Sequence, residues 1–239
     1  MTVRVLLMTQ WFDPEPTFKG IVFARELVRQ GFEVEVITGF PNYPGGKIYP
    51  GYKIRLVQKE QIEGVNVTRV PLYPSHDKSK IGRILNYVSF ACSLMIYGLF
   101  SKKADVIYAY HPPLTVGIAA SIVGFFRRVP VVNDIQDMWP DTLSSTGMIS
   151  NKRVITLVGK VCDWVYKRST KIVVLSPGFR TLLVERGVPP EKIEVIYNWC
   201  AEDAIAQAPG EKGSVFKPDA KFRILFAGNM GLAQALDVV

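Results

Sequence analysis

Short apolar runs alternate with stretches of helical period along most of this chain, and that alternation constrains its fold more than any other feature. Val3–Met8, Glu33–Thr38, the stretch around Val65, Val67 and Val70, Asp105–Tyr110, Val129–Asn133, Lys171–Ser176 and Ile193–Asn198 each read as a strand. Brief, nearly continuous apolar runs suit strands buried on both faces of a parallel sheet. Glu33–Thr38 alternates. Helical patterns fall between most of the strands. Ile21–Gln30 places Ile21, Ala24, Leu27 and Val28 on one face and Arg25, Glu26 and Arg29 on the other. Gly31 follows as a C′ residue. Repeated βαβ units predict an α/β protein with a doubly wound parallel sheet.

The tail differs. Residues 201–221 are small and polar, with Pro209, Gly210, Gly213 and Pro218, and read as a linker after a domain spanning 1–200. Residues 222–239 read as a strand, a tight turn at Gly228-Asn229-Met230-Gly231 and the start of a helix. A lone strand–turn–helix cannot bury its own apolar face, so the expectation is a second domain that begins here and is not completed.

The balance of charge narrows the partners. A net charge of +8 and a pI near 9.4 call for something acidic: nucleic acid, anionic lipid or a phosphorylated substrate. No recognition-helix or RNP pattern supports nucleic acid, and basic residues flank apolar helices rather than forming a stripe. Cys92, Cys162 and Cys200 are far apart, with no CxxC, so neither a disulfide framework nor a zinc site is suggested and a reducing cytoplasm fits. Met1–Met8 reads as a first strand rather than a signal peptide.

Three loops and one helix carry the functional signals. Val131–Asp141 (VVNDIQDMWPD) ends a strand and delivers Asp134, Gln136, Asp137, Trp139 and Asp141 into a short loop. In an open parallel sheet, ligands bind at such strand carboxyl ends. Gln10–Gly20 joins the first strand to the first helix; Lys19 and Gly20 precede the helix N-terminus, where free N–H groups favour an anion. Gly39–Gly46 (GFPNYPGG) is a stiff turn-rich loop in which Phe40 and Tyr43 offer apolar faces to a sugar or a lipid. His111 follows its strand and falls on the rim expected to hold Asp137, as a ligand contact or an ordinary loop histidine. Ile81–Phe100 is long and apolar, with Lys78, Lys80 and Arg83 before it and Lys102 and Lys103 after it. It reads either as a buried crossover helix or as one lying in a bilayer interface, and one packed face with one free face would satisfy both. Arg127-Arg128, after the apolar 118–126 segment, adds a second basic–apolar patch.

Several chemistries are disfavoured. GxGxxG, the P-loop pattern, HExxH and GxSxG do not occur, and Asp134, Asp137 and Asp141 lack the DxD spacing that chelates a metal–diphosphate.

Taken in order, Gly39–Tyr52, Asp134–Asp141, Ser176–Phe179 with Ile193–Trp199, and Phe226–Leu232 resemble the family 4 retaining glycosyltransferases of GT-B architecture, in particular the bacterial surface-polysaccharide branch with fucosamine and colanic-acid transferases. The resemblance implies two Rossmann-like domains facing a cleft, of which this chain is mainly the N-terminal, acceptor-binding one. It implies transfer from a nucleotide-sugar donor to a glycan or lipid-diphosphate-linked sugar acceptor, with no cofactor and no metal, at the cytoplasmic face of the membrane. Asp137 falls where the family has its strand-end acid, and Gln136 where His or Arg is more usual. By the same resemblance Lys19, Gly20, Tyr43, His111 and Trp139 fall on the acceptor side, and Asn198 with Gly228, Asn229, Met230 and Gly231 on the donor side. A non-catalytic acceptor-binding or membrane-docking subunit and a GT-B-fold sugar epimerase are the alternative readings.

Overall fold

A computed structural model of the chain describes residues 2–75, 80–145 and 151–199. Residues 201–239, with the expected linker and the Gly228-Asn229-Met230-Gly231 turn, lie outside the described residues.

The first strand, β1 (Arg4–Thr9), is buried on both faces in the middle of a single sheet. Its alternate residues serve two layers: Val5 and Leu7 pack with Ile21 and Ala24 of α1 (Ile21–Arg29). Leu6 and Met8 pack with Phe90 and Leu94 of α2 (Lys80–Phe100) and Val116 and Val123 of α3 (Leu114–Arg127). Helices on both faces are what a sheet of this kind requires, and fully burying each aliphatic side chain contributes about 1.5–3 kcal/mol. The remaining strands are β2 (Glu33–Gly39), β3 (Gln58–Ile62), β4 (Val65–Val70), β5 (Val106–His111), β6 (Val131–Ile135), β7 (Lys171–Val174) and β8 (Ile193–Val195). The sheet order is β3-β4-β2-β1-β5-β6-β7-β8. All neighbours are parallel except β3 and β4. A third cluster under β6–β8 is closed by α5 (Lys152–Arg168) and α6 (Pro177–Glu185), with the short α4 (Asp141–Ser145) preceding them.

The chain starts in the centre at β1, builds outward through β2 and β4, then crosses by α2 to β5 on β1's other side. The switch point therefore lies between β1 and β5, and the loops leaving their carboxyl ends diverge to open a crevice.

Several local expectations are corrected. Val28 is exposed, so α1 buries a narrower stripe than its pattern suggested. Past its first residue β2 is buried on both faces rather than alternating, because both helical layers cover it. β3 (QKEQI) was not anticipated: it is a polar antiparallel edge strand, half-buried and stabilised by pairing with β4 rather than by its own apolar content. β6 begins and ends two residues later than its apolar run, which carries Asn133 and Asp134 into the sheet interior. β5 likewise extends to include His111.

In α2 one stripe, Asn86, Phe90, Leu94 and Gly98, faces inward at four-residue spacing. A Cβ on Gly98 would meet Met8 and Val123 at 2.9 and 3.1 Å, so glycine permits that close approach. The opposite stripe, Ile84, Val88, Cys92, Ile96 and Phe100, is exposed.

Candidate functional site

A cleft of about 290 Å³ opens at the strand carboxyl ends. The β1–α1 loop supplies Trp11 and Phe18, the loop after β2 supplies Tyr43, β5 supplies Tyr110, and the loops after β6 and β8 supply Gln136, Asp137 and Asn198. A larger hollow of about 460 Å³, between Arg4, Glu33, Lys59 and Lys102, lies at the opposite ends of the strands and contains none of these loops.

The wall beside Gln136 is built around a buried ion pair. The Lys19 ammonium, 1% exposed, contacts Asp134 Oδ2, and Asp134 is 0% exposed. The Tyr108 hydroxyl donates to the same oxygen at 2.6 Å. Around the ammonium stand the rings of Phe23, Tyr108, Tyr110 and Trp199, with centroids 5.5–6.0 Å away. Carboxylate and ring faces together offset the loss of water around the cation. Asp134 Oδ1 accepts from Gln136 Nε2 at 2.6 Å, and Gln136 Oε1 accepts from Asn198 Nδ2 at 2.8 Å. The Gln136 amide is thus held at both ends, and one of its N–H bonds remains uncommitted in these contacts.

Asp137 is half-buried, and burial raises its carboxyl above the ordinary aspartate value. No salt bridge to it occurs among the described residues. A carboxylate in this setting gains by accepting a hydroxyl hydrogen bond, which partly replaces lost water. Tyr43 packs on Trp11 with centroids 4.9 Å apart, forming an aromatic rim.

The loops are fixed from behind. Glu15, 2% exposed, accepts the backbone N–H of Asn42 and Tyr43 at 2.7 Å each and that of Phe12 at 3.4 Å, pinning the first loop to the second. Burial nevertheless pushes its carboxyl up to about 7. Arg69, wholly buried in β4, donates to Glu60 on β3, to the Gly39 carbonyl and to the Asp13 carbonyl. Asn86, turned inward from α2, accepts from Gln10 at 2.5 Å and donates to the Tyr73 carbonyl at 2.7 Å.

The structure gathers Tyr43, Gln136, Asp137 and Asn198 at the cleft and removes four other candidates from it. Lys19 lies behind the wall, because its charge is engaged by Asp134. At Gly20 the Asp13 carboxylate already accepts from the Ile21 N–H at 2.6 Å, so the anion place at this helix start is filled from within the chain. A Cβ on Gly20 would lie 2.2 Å from Asp13 Oδ2, and glycine is there for that approach. His111 is 3% exposed, its ring nitrogens lack partners among the described residues, and burial holds its pKa down at about 4. It sits one layer beneath the rim, its backbone carbonyl accepting from the Gln136 N–H at 3.0 Å. Trp139 packs against the β6–β8 cluster and edge-on to His111, 6.3 Å between centroids, so its indole is partly buried against the core and does not line the cleft.

Glu15, Arg69, Trp11 and Tyr110 are site-forming residues that the sequence pattern did not single out, and Asp134, noted as a loop acid, proves to be a buried anchor behind the wall. A lone Arg among β-branched residues in a buried strand, as at Arg69, is the one local signal of the set. A charge there must find partners.

Comparison with known proteins supplies the family. Residues 22–199 match the sequence profile of the glycosyl transferase 4-like domain. The chain is 27% identical over 255 aligned residues to WcaI of Escherichia coli (strain K12), assigned as a glycosyl transferase of colanic acid biosynthesis; the alignment takes in 99% of this chain and 61% of that protein's length. Among solved structures, a sucrose-phosphate synthase from Thermosynechococcus elongatus is similar with a TM-score of 0.51 at 13% identity, covering 85% of this chain and 93% of that one. A UDP-N-acetylglucosamine 2-epimerase is similar with a TM-score of 0.50 at 10% identity, covering 83% and 49%. At these identities the structural likeness shows the fold alone.

Proposed function

We propose, from the premise that this chain belongs to the glycosyl transferase 4-like domain family, that it forms the acceptor wall of a retaining, metal-independent glycosyltransferase. That enzyme would move a sugar from a nucleotide-sugar donor to a glycan or lipid-diphosphate-linked sugar in bacterial surface-polysaccharide assembly. The observation that carries the reading is the placement of Gln136 and Asp137 in a cleft at the sheet's switch point, facing an aromatic rim. The likeness to WcaI supports the pathway.

In the reaction, the bond from the anomeric carbon to the diphosphate oxygen breaks and a bond to the acceptor oxygen forms. The acceptor hydroxyl's proton passes to the leaving phosphate. Asp137 accepts a hydrogen bond from a neighbouring hydroxyl of the same acceptor sugar and so aims the reacting oxygen, a positioning effect. Gln136, fixed by Asp134 and Asn198, contributes a neutral hydrogen bond to the same sugar. The developing charge on the diphosphate needs cations or helix N-termini, which this cleft does not offer among the described residues. That task belongs to the donor side, where Gly228–Gly231 falls by resemblance.

The exposed apolar stripe of α2, with Ile118 and Ile122 of α3 lining an apolar groove beside Val88 and Cys92 and with Lys102, Lys103 and Arg128 exposed, suits the surface of an anionic bilayer. This supports peripheral attachment at the inner face of the plasma membrane, where a lipid-linked acceptor would be found.

The test is transfer by the full-length protein from a panel of nucleotide sugars to a lipid-diphosphate sugar. Acceptor-dependent nucleotide release with a new glycosidic bond is expected. Conversion of the nucleotide sugar to an epimer without acceptor, or no turnover with any donor, would overturn the reading.

A further inference from the structure

We infer that the Gln136–Asp137 cleft is selective for an acceptor with an uncharged sugar ring and keeps the acceptor's own anionic groups outside. This rests on the sugar-acceptor reading above and adds to it the substrate class. The polar groups lining the cleft are neutral except for one carboxylate: Thr17, Gln136 and Asn198 stand with Asp137 among aromatic and proline surfaces, and no Lys, Arg or His lines it among the described residues.

Lys19 is the cation built into the wall behind, and it does not reach the cleft. Its charge is balanced by Asp134, at 1% and 0% exposure respectively. The pair acts on the cleft only through the Gln136 amide, which it orients. The charge that a ligand meets is therefore that of Asp137, which has no cationic partner among the described residues. Sugar hydroxyls suit this lining. They donate to Asp137 and exchange hydrogen bonds with the amides, while C–H faces lie on the Tyr43 and Trp11 rings. A uronate or phosphate placed beside Asp137 meets like charge in a partly desolvated site and loses affinity by roughly tenfold or more. A diphosphate-linked acceptor then enters with its terminal sugar in the cleft and its diphosphate outside.

The experiment is saturation-transfer NMR and competition with the 239-residue chain, using methyl gluco-, galacto- and mannopyranosides and the matching methyl uronates at neutral pH. The expected result is binding of at least one uncharged glycoside and weaker binding of its uronate, by roughly tenfold. The gap should close in Asp137→Asn and narrow in wild type as salt is raised. Equal or tighter binding of the uronate, or a gap unchanged in Asp137→Asn and by salt, overturns the inference while leaving the sugar-acceptor reading intact. Binding of none of the glycosides overturns both.

Discussion

The side-chain amide of Gln136 is held by the carboxylate of Asp134, 2.6 Å from Nε2 to Oδ1. Asp134 can do this because its other oxygen is occupied by Lys19 and Tyr108. The orientation of a neutral group at the cleft is thus set by a buried ion pair behind it, and the same pair is a point of structural vulnerability.

Removing one partner of that pair leaves an uncompensated buried charge. Lys19→Met should destabilise the chain by about 3–5 kcal/mol, whereas Lys19→Met with Asp134→Leu should cost clearly less than the sum of the single changes. Urea titration of the four proteins of this cycle measures it. Small additive losses would show that the pair is not coupled.

Glu15 and His111 give opposite pH dependences. Burial raises Glu15 from 4.5 to about 7. Between those values the folded chain keeps a proton that the unfolded chain has released, so this contribution is greatest in acid and lost as pH rises. Burial lowers His111 from 6.5 to about 4. In that interval the unfolded chain holds the extra proton, so stability is lost as pH falls. The two effects oppose each other where the windows overlap. Glu15→Gln should therefore gain on wild type by up to about 3 kcal/mol as pH rises from 4.5 to 7. His111→Phe should gain on wild type by a similar amount as pH falls from 6.5 to 4. Denaturation midpoints across this range decide the matter, and differences from wild type that do not vary with pH would contradict both assignments.

The free stripe of α2 predicts a separation of folding from membrane binding. Ile96, 57% exposed, and Phe100, 86% exposed, contribute little to the core. Ile96→Glu with Phe100→Glu should shift stability by no more than about 1 kcal/mol and reduce sedimentation with anionic vesicles at low salt several-fold. Undiminished vesicle binding, or unfolding, would contradict the assignment of this face to lipid.

Much of the sheet was legible because buried parallel strands appear as apolar runs, and the stretch around Val65 and Val67 is a strand, Val65–Val70. The edge strand β3 was not, since QKEQI carries no such run and takes its place through hydrogen bonds to β4. The loop after β6 could be recognised as chemical from its acids and amides. Its internal division could not, because Asp134 is drawn inward by Lys19, 115 residues away in sequence. The same distance problem misplaced Lys19 itself: a cation before a helix looks like an anion site until the Asp13 carboxylate is seen to occupy the helix start. His111 was sited by its place just past a strand's carboxyl end, and extension of β5 by one residue is enough to turn that rim residue into a buried one.

Asp137 is proposed to position an acceptor hydroxyl in this cleft. The most direct test of this role compares sugar transfer by full-length wild type and Asp137→Asn, alongside the melting temperature of each. Asp137 is half-buried and has no salt bridge among the described residues, so a loss of turnover of about 10–100-fold is expected with a melting temperature changed by no more than a few degrees. Turnover equal to wild type, or a loss explained by unfolding, would contradict it.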